Sequence, residues 1–184
     1  MSYYLVASLP PLALGDTPPW TPSEFLFHCQ GALTPEQHRE LSLIIEDRAA
    51  EALSPFAQWW HHLDTQIRNQ LARFRAGRLH VEARPYQRMH SGYDVAVEQG
   101  VSDALSRSQP LEREQALDRC RWEALDERIL ANPFGFEVVL AYAIRLNLLD
   151  RWTELTDEKG LERIETFITE NAETSLELQR LGGA

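Results

Sequence analysis

The sequence predicts an all-α protein, a multi-helix bundle with a short extended segment at its N-terminus. Helix start signals recur at Thr21-Pro22, Thr34-Pro35 and Ser54-Pro55, where a hydroxyl side chain can cap the helix and proline suits its first turn. Apolar residues then recur at three- or four-residue intervals, which is the helical spacing. With 184 residues, of which 43% are hydrophobic and 25% charged, the chain suits a single helical domain, residues 1–184.

The N-terminal segment is predicted to be extended. Residues 3–7 suit a short strand or an extended stretch, because Pro10-Pro11 interrupts any longer element. Residues 15–20 contain two further prolines and are predicted to form a loop. The first helix begins after Thr21 and carries Cys29 near its end.

The second and third helices have the strongest local signals. Gln37 lies three residues after Thr34, which completes a capping box. The third helix opens at Ser54-Pro55 and is the longest, and Gly77 is expected to end it. Its apolar stripe consists of Phe56, Trp59, Trp60, Leu63, Ile67, Leu71 and Phe74.

Residues 79–92 form the least regular stretch of the sequence. They include Pro85 and Gly92, which interrupt regular structure. We therefore predict a hinge or a mobile loop here, between an N-terminal and a C-terminal helical half of the same domain.

The C-terminal half is predicted to contain three longer helices. They span residues 94–106, 110–131 and 136–152, and the turn Asn132-Pro133-Phe134-Gly135 joins the last two. Residues 156–160 are predicted to form a turn, and residues 181–184 are expected to fray. A last apolar stripe contains Leu161, Ile164, Phe167 and Ile168.

The charge of the chain argues against general nucleic-acid binding. Its formal net charge is −10, whereas binding to the phosphate backbone requires concentrated positive charge. The charge is uneven, however, because residues 68–88 contain six arginines and only one acidic residue, Glu82. This run is either a solvated helix face or a docking patch for an acidic partner.

The cysteines and the hydropathy pattern predict a cytoplasmic protein. Cys29 and Cys120 are far apart in sequence, a spacing that neither supports a metal knuckle nor excludes a single disulfide. Because the sequence has no signal-peptide pattern, we expect reduced cytoplasmic thiols. No apolar run approaches the roughly 20 residues that cross a bilayer. Any work at a membrane would therefore depend on partner proteins.

The sequence contains no recognisable reaction centre. Phosphate-binding loops, dinucleotide fingerprints and nucleophile elbows are all absent. The strongest candidate is His61-His62-Leu63-Asp64, in which His61 and Asp64 could share a helix face and ligate a metal, with His28, Cys29 and His38 as conceivable further ligands. The alternative is that these are polar residues beside a tryptophan-rich core stripe. We therefore expect no catalytic residue, no metal and no cofactor, and an enzyme of unknown type ranks third among the functions considered.

Several segments carry a family resemblance that covers nearly the whole chain. They are Tyr3-Tyr4-Leu5-Val6-Ala7-Ser8-Leu9-Pro10-Pro11-Leu12, Glu24-Phe25-Leu26, Cys29, Leu117-Asp118-x-x-Arg121-Trp122, Ala141-Tyr142-Ala143 and Arg151-Trp152. Together they resemble an uncharacterised bacterial family that is encoded among the genes for V-type ATPases.

A more distant similarity concerns the C/d family of central-stalk proteins in V-type and A-type ATPases. That family has a Pro-Phe-Gly-like turn leading into an Ala-Tyr helix, and Pro133-Phe134-Gly135 and Leu140-Ala141-Tyr142 are similar to it. Leu146-Asn147-Leu148-Leu149 departs from it, since the family has a more charged run there. The chain is also shorter than the three-lobed members of that family, so it would correspond to one or two lobes.

The resemblance implies a non-catalytic subunit that links the central rotor shaft to the membrane rotor ring, and so takes part in proton or sodium transport. It would lie in the cytoplasm, at the inner face of the plasma membrane through partner subunits, without direct membrane insertion and without nucleic acid. An adaptor or assembly factor for the same complex is the alternative. The interface candidates that the resemblance implies are Arg121, Arg145, Asn147, Asp150 and Arg151. Alternatively, these residues pair helices within the molecule.

Overall fold

Seven α-helices make up the described part of the chain, which contains no strands. The computed structural model describes residues 2–153 and residue 166, and the prediction of an all-α, multi-helix fold is confirmed. The helices are α1 (Ser2–Ser8), α2 (Pro22–His28), α3 (Pro35–Ile45), α4 (Pro55–Leu79), α5 (Val95–Ser106), α6 (Pro110–Ile129) and α7 (Phe136–Thr153). The turn and the apolar stripe predicted after residue 153 lie outside the described residues, as does the frayed end.

Side-chain caps fix the starts of the helices that follow threonine or serine. Thr21 and Thr34 each accept a hydrogen bond from the backbone three residues on, and each forms a complete capping box. Ser54 caps α4 in the same way, without the reciprocal contact. Asp94 caps α5 by accepting from the backbone N–H of Val97 at 3.0 Å. Each cap satisfies a backbone donor that the helix itself leaves unpaired.

The prediction of an extended N-terminal segment is wrong, because residues 2–8 form helix α1. Leu5, Val6 and Leu9 pack against the core at helical spacing, and the ring of Tyr3 lies 4.8 Å from that of Phe134. This tertiary contact overrides the weak local preference of β-branched and aromatic residues. Pro10 and Pro11 follow the end of α1 at Ser8 and do not prevent its formation.

Helix α4 runs two residues beyond its predicted end. Gly77 lies within the helix, and the cap is His80, whose φ of 54° is left-handed. Residues 80–94, which include a short 3-10 turn at Arg84–Tyr86, connect α4 to α5. The hinge at residues 79–92 stays a prediction.

Helix α7 is the centre of the core. It packs against α1, α2, α3, α4 and α6, while α5 packs against α4 and α6. Residues 139–144 of α7 are buried without interruption, as expected of a helix surrounded on all sides. In the described part of the chain, no helix is both long and apolar enough to cross a membrane.

Helices α5 and α6 approach each other tightly at Gly100. A Cβ atom added there would lie 2.9 Å from the Sγ of Cys120, whereas one added at Gly77 would meet nothing within 4 Å. Gly77→Ala should stabilise the protein by about 0.5–1 kcal/mol, because alanine loses less backbone entropy in a helix. Gly100→Ala has the same benefit but crowds a packed contact, so it should be about 1–3 kcal/mol less stable than Gly77→Ala. Urea unfolding of the two variants measures this difference, and equal stabilities would contradict the packing described.

Candidate functional site

A fully buried carboxylate, Asp118 on α6, connects the last two helices. It is 0% exposed, and its Oδ1 accepts from Nη1 of Arg121 at 3.1 Å. Its Oδ2 accepts from Nη2 of Arg151 at 2.5 Å and from Nε1 of Trp152 at 2.8 Å. The two guanidinium groups neutralise the carboxylate and the indole N–H adds a third hydrogen bond, so the buried charge is compensated.

The same set of contacts extends to α4 through Arg121. Its Nε donates to Oδ1 of Asp64 at 3.3 Å, and Oδ2 of Asp64 accepts from Nε of Arg68 at 2.5 Å. We call these residues the Asp118 network: Asp64, Arg68, Asp118, Arg121, Arg151 and Trp152. Because the network alternates acidic and basic groups across three helices, it fixes their register through charge-assisted hydrogen bonds.

A cavity of about 220 Å³, lined by both charged and apolar side chains, lies beside the Asp118 network, between α3, α4, α6 and α7. Its lining contains the guanidinium groups of Arg68, Arg121 and Arg151, but each is already paired with a carboxylate. The remaining lining residues are Ile44, Asp47, Trp60, Asp64, Ile144, Asn147 and Leu148. Ion pairs of this lining join α6 to α4 and α7 to α6, so the arrangement is suited to holding these helices together.

The structure places the other predicted interface residues along α7. The guanidinium of Arg145 lies 4.9 Å from the ring centroid of Trp122 and donates to Oδ1 of Asp126 at 2.5 Å. Burial lowers the pKa of Arg145, and Asp126 opposes this shift. The Asn147 amide donates to two carbonyls at the C-terminus of α3, those of Ile44 and Ile45.

Four of the five interface candidates therefore have partners within the molecule: Arg121, Arg145, Asn147 and Arg151. Asp150 is half-buried, and its backbone carbonyl accepts from the hydroxyl of Thr153 at 2.7 Å. The role of all five at an interface with another protein stays a prediction. Asp118 and Asp64, which organise the site, are not among these candidates. The spacing of Asp118 and Arg121, three residues apart on one helix, is the sequence signal for their pairing.

A second feature is a surface of exposed arginines at the end of α4 and in the segment that follows. Of the six arginines in residues 68–88, only Arg68 is paired; the others form no ion pair with any described residue. These arginines lie on different faces of the end of α4 and along the segment that follows it. We call them the basic surface: Arg73, Arg75, Arg78, Arg84 and Arg88, with the exposed apolar side chains of Leu79, Val81, Tyr86 and Met89. Met89 is 98% exposed, so these residues combine exposed apolar area with positive charge that no acidic side chain in the described part of the chain pairs.

The buried side-chain amides of Gln66 and Asn69 in α4 bind the segment of residues 80–94, which carries part of the basic surface. Asn69 donates to the carbonyl of Arg88 at 2.7 Å and accepts from its N–H at 2.8 Å. Gln66 does the same with Asp94, at 2.7 and 2.9 Å. Each amide thus satisfies both backbone groups of one residue, and the segment is attached to α4 at two points.

The histidines of the chain do not belong to a metal-binding cluster in the part that the structure describes. No cluster of three or more histidine, cysteine, aspartate or glutamate side chains that could hold a metal occurs among residues 2–153 and 166. The ring of His28 lies 4.9 Å from that of Trp20, Cys29 is buried in the core, and Asp64 belongs to the Asp118 network.

Both thiols are free and buried, and burial raises the pKa of each to about 11. Since the ordinary value is 9.0, their contribution to stability is complete below pH 9 and is lost as the pH rises from 9 to 11. We expect Ellman's reagent at pH 8 to modify Cys29 and Cys120 about 100-fold more slowly in the native protein than in urea. Rapid labelling of either native thiol would contradict the burial described.

Comparison with known proteins relates the C-terminal half of the chain to a family. Residues 96–172 are similar to a family described as "Protein of unknown function (DUF2764)". The match begins in α5 and includes α6 and α7, and therefore Asp118 and Arg151. No curated protein and no solved structure matches the chain significantly.

Proposed function

We propose that this chain is a non-catalytic subunit of a bacterial V-type ATPase, where it links the central rotor shaft to the membrane rotor ring. The proposal starts from the sequence resemblance described above. We call the residues that carry the resemblance the signature residues. Signature residues from two distant segments contact one another, and this observation supports the proposal. Asp118 and Arg121 of the first segment form a network with Arg151 and Trp152 of the second.

The contacts of the signature residues are typical of side chains that hold helices together. They pair with one another and with α4, and each guanidinium among them already has a carboxylate partner. A subunit that transmits torque needs helices whose relative positions are fixed, and a network of buried ion pairs can specify such positions. The signature therefore favours a mechanical role over a catalytic one.

The basic surface supports a role in binding other proteins. Arginines and exposed apolar side chains are both common at protein interfaces. The positive charge of this surface favours an acidic partner. The chain as a whole has a net charge of −10, so the rest of the molecule suits a basic partner, such as a basic shaft or basic ring loops. The protein would then act at the inner face of the plasma membrane through partner subunits.

A tagged copy of the full chain, expressed from its own chromosomal locus, tests this proposal. Purification from gently solubilised membranes should recover the V-type ATPase subunits in fixed proportion to the tagged chain. Recovery of only partial assemblies would replace the proposal with the assembly-factor alternative. Recovery of none, in repeated preparations, would reject both.

A further inference from the structure

An open cavity of about 480 Å³ lies between α4 and the segment of residues 80–94. It shares no lining residue with the cavity beside the Asp118 network. Binding sites for small molecules have volumes of roughly 300–1,000 Å³, so this cavity has room for a small ligand. Its lining residues are Asn69 and Arg73 of α4 and Gln87, Arg88, Met89 and His90 of the segment.

The charged side chains of this lining are all positive. They are the guanidinium groups of Arg73 and Arg88, and neither is paired with an acidic side chain in the part of the chain that the structure describes. Glu98 lines the neighbouring groove together with Arg73, but it interacts with the hydroxyl of Tyr93 and raises the pKa of that group. Two uncompensated positive charges at one cavity favour an anion that carries more than one negative charge.

Hydrogen bonds hold the backbone of Arg88 against α4. The side-chain amide of Asn69 donates to the carbonyl of Arg88 at 2.7 Å and accepts from its N–H at 2.8 Å. The Arg88 side chain therefore extends from a fixed point on one wall of the cavity. Arg73 lies one helical turn beyond Asn69, on the other wall. Because the positions of both arginine backbones are fixed before binding, a ligand between them loses less affinity to conformational ordering.

Further hydrogen-bond donors belong to the same lining. The backbone N–H groups of Met89 and His90 donate to no other residue that the structure describes. Gln87 adds a side-chain amide, which can also donate. The cavity thus combines two guanidinium groups with neutral donors, and such a set of donors suits a ligand group that consists of acceptors.

A phosphate group matches this lining better than a carboxylate does. A phosphomonoester carries a charge of about −1.5 to −2 at neutral pH, which two arginines neutralise, whereas a carboxylate neutralises one. Its oxygens accept hydrogen bonds in several directions, and guanidinium groups form paired hydrogen bonds with them. We propose that this cavity binds a phosphomonoester group, held by Arg73 and Arg88 and by the backbone N–H groups of Met89 and His90.

A nuclear magnetic resonance titration of the isotope-labelled full-length protein tests this proposal. The probe is glycerol 3-phosphate at constant ionic strength, since salt screens exposed charges. We expect saturable shifts of the backbone amides of Met89 and His90, with an affinity at least about tenfold higher than that for acetate. Shifts that do not saturate, or equal affinities for the two anions, would overturn the proposal.

Three variants that each remove one positive charge separate binding at the cavity from general attraction. Arg73→Gln and Arg88→Gln should each weaken the binding of glycerol 3-phosphate at least about tenfold, because each removes a charge-assisted hydrogen bond. Arg75→Gln is the matched control, since Arg75 is exposed and lies two residues beyond Arg73, on another face of α4. It should change the affinity by less than about twofold. Equal weakening by all three variants would show that the attraction is not centred on the cavity, and the proposal would be wrong.

A phosphomonoester can belong to a soluble molecule or to a lipid headgroup, and co-sedimentation with vesicles distinguishes the two sources. The vesicles contain phosphatidylcholine with or without phosphatidic acid. Binding to the acidic vesicles that Arg73→Gln abolishes would assign the cavity to a lipid headgroup. Without such binding, saturable binding of glycerol 3-phosphate assigns it to a soluble ligand. If Arg73→Gln has no effect in either assay, the proposal is wrong. Both assays use the purified chain, so their outcome does not depend on membership in a V-type ATPase.

Discussion

Asp118→Asn is expected to destabilise the protein by about 3–5 kcal/mol. The variant keeps the shape of the side chain but removes its charge, so Arg121 loses one of its carboxylates while it is still buried. The asparagine introduces an NH₂ group, which is a hydrogen-bond donor. Its neighbours Arg121, Arg151 and the indole of Trp152 are also donors, so the NH₂ group would face no acceptor among them. Urea unfolding followed by circular dichroism measures the loss.

The matched control for this variant is Asp103→Asn. Asp103 also pairs with an arginine, Arg107, at 3.1 Å, but its side chain is 69% exposed. An exposed pair contributes about 0–1 kcal/mol, so the control should be nearly as stable as the wild type. A loss of less than about 1 kcal/mol for Asp118→Asn would show that the Asp118 network does not hold the helices together.

Phe25→Ala should also remove about 3–5 kcal/mol. Phe25 is 0% exposed, and its ring centroid lies 4.9 Å from that of Tyr142 and 6.1 Å from that of Trp20. These contacts attach the short helix α2 to α7. Truncation leaves a cavity that Trp20 and Tyr142 cannot fill, because both rings are themselves held by neighbours.

Phe27, two residues further along α2, provides the control. It is 70% exposed, so Phe27→Ala should change the free energy of unfolding by less than about 0.5 kcal/mol. Thermal and urea unfolding of both variants would compare the same substitution on the two faces of one helix. Similar losses for both would mean that α2 does not pack on α7 as described.

Local chemistry explains why most of the helices could be predicted from the sequence. The starts at Thr21, Thr34 and Ser54 depend on a hydroxyl side chain and a proline within one turn, and such short-range contacts are visible in the sequence. Helix α1 could not be predicted in this way, because its formation depends on packing against distant residues such as Phe134. The end of α4 could not be predicted either, because His80 adopts a left-handed backbone conformation that glycine adopts more readily.

The site could be predicted only in part. The resemblance singles out Arg121 and Arg151, and both belong to the Asp118 network. Their partners come from far along the chain, however: Asp64 is 57 residues from Arg121, and Asp118 is 33 residues from Arg151. Pairing at such separations depends on how helices pack, which a single sequence does not reveal.

The most direct test of the proposed function is native mass spectrometry of an intact V-type ATPase, purified through a tag on its rotor shaft from cells that express this protein. The proposal expects the 21.1 kDa chain to be present at fixed stoichiometry and to dissociate together with shaft or ring proteins. A fully active complex that consistently lacks the chain would contradict it.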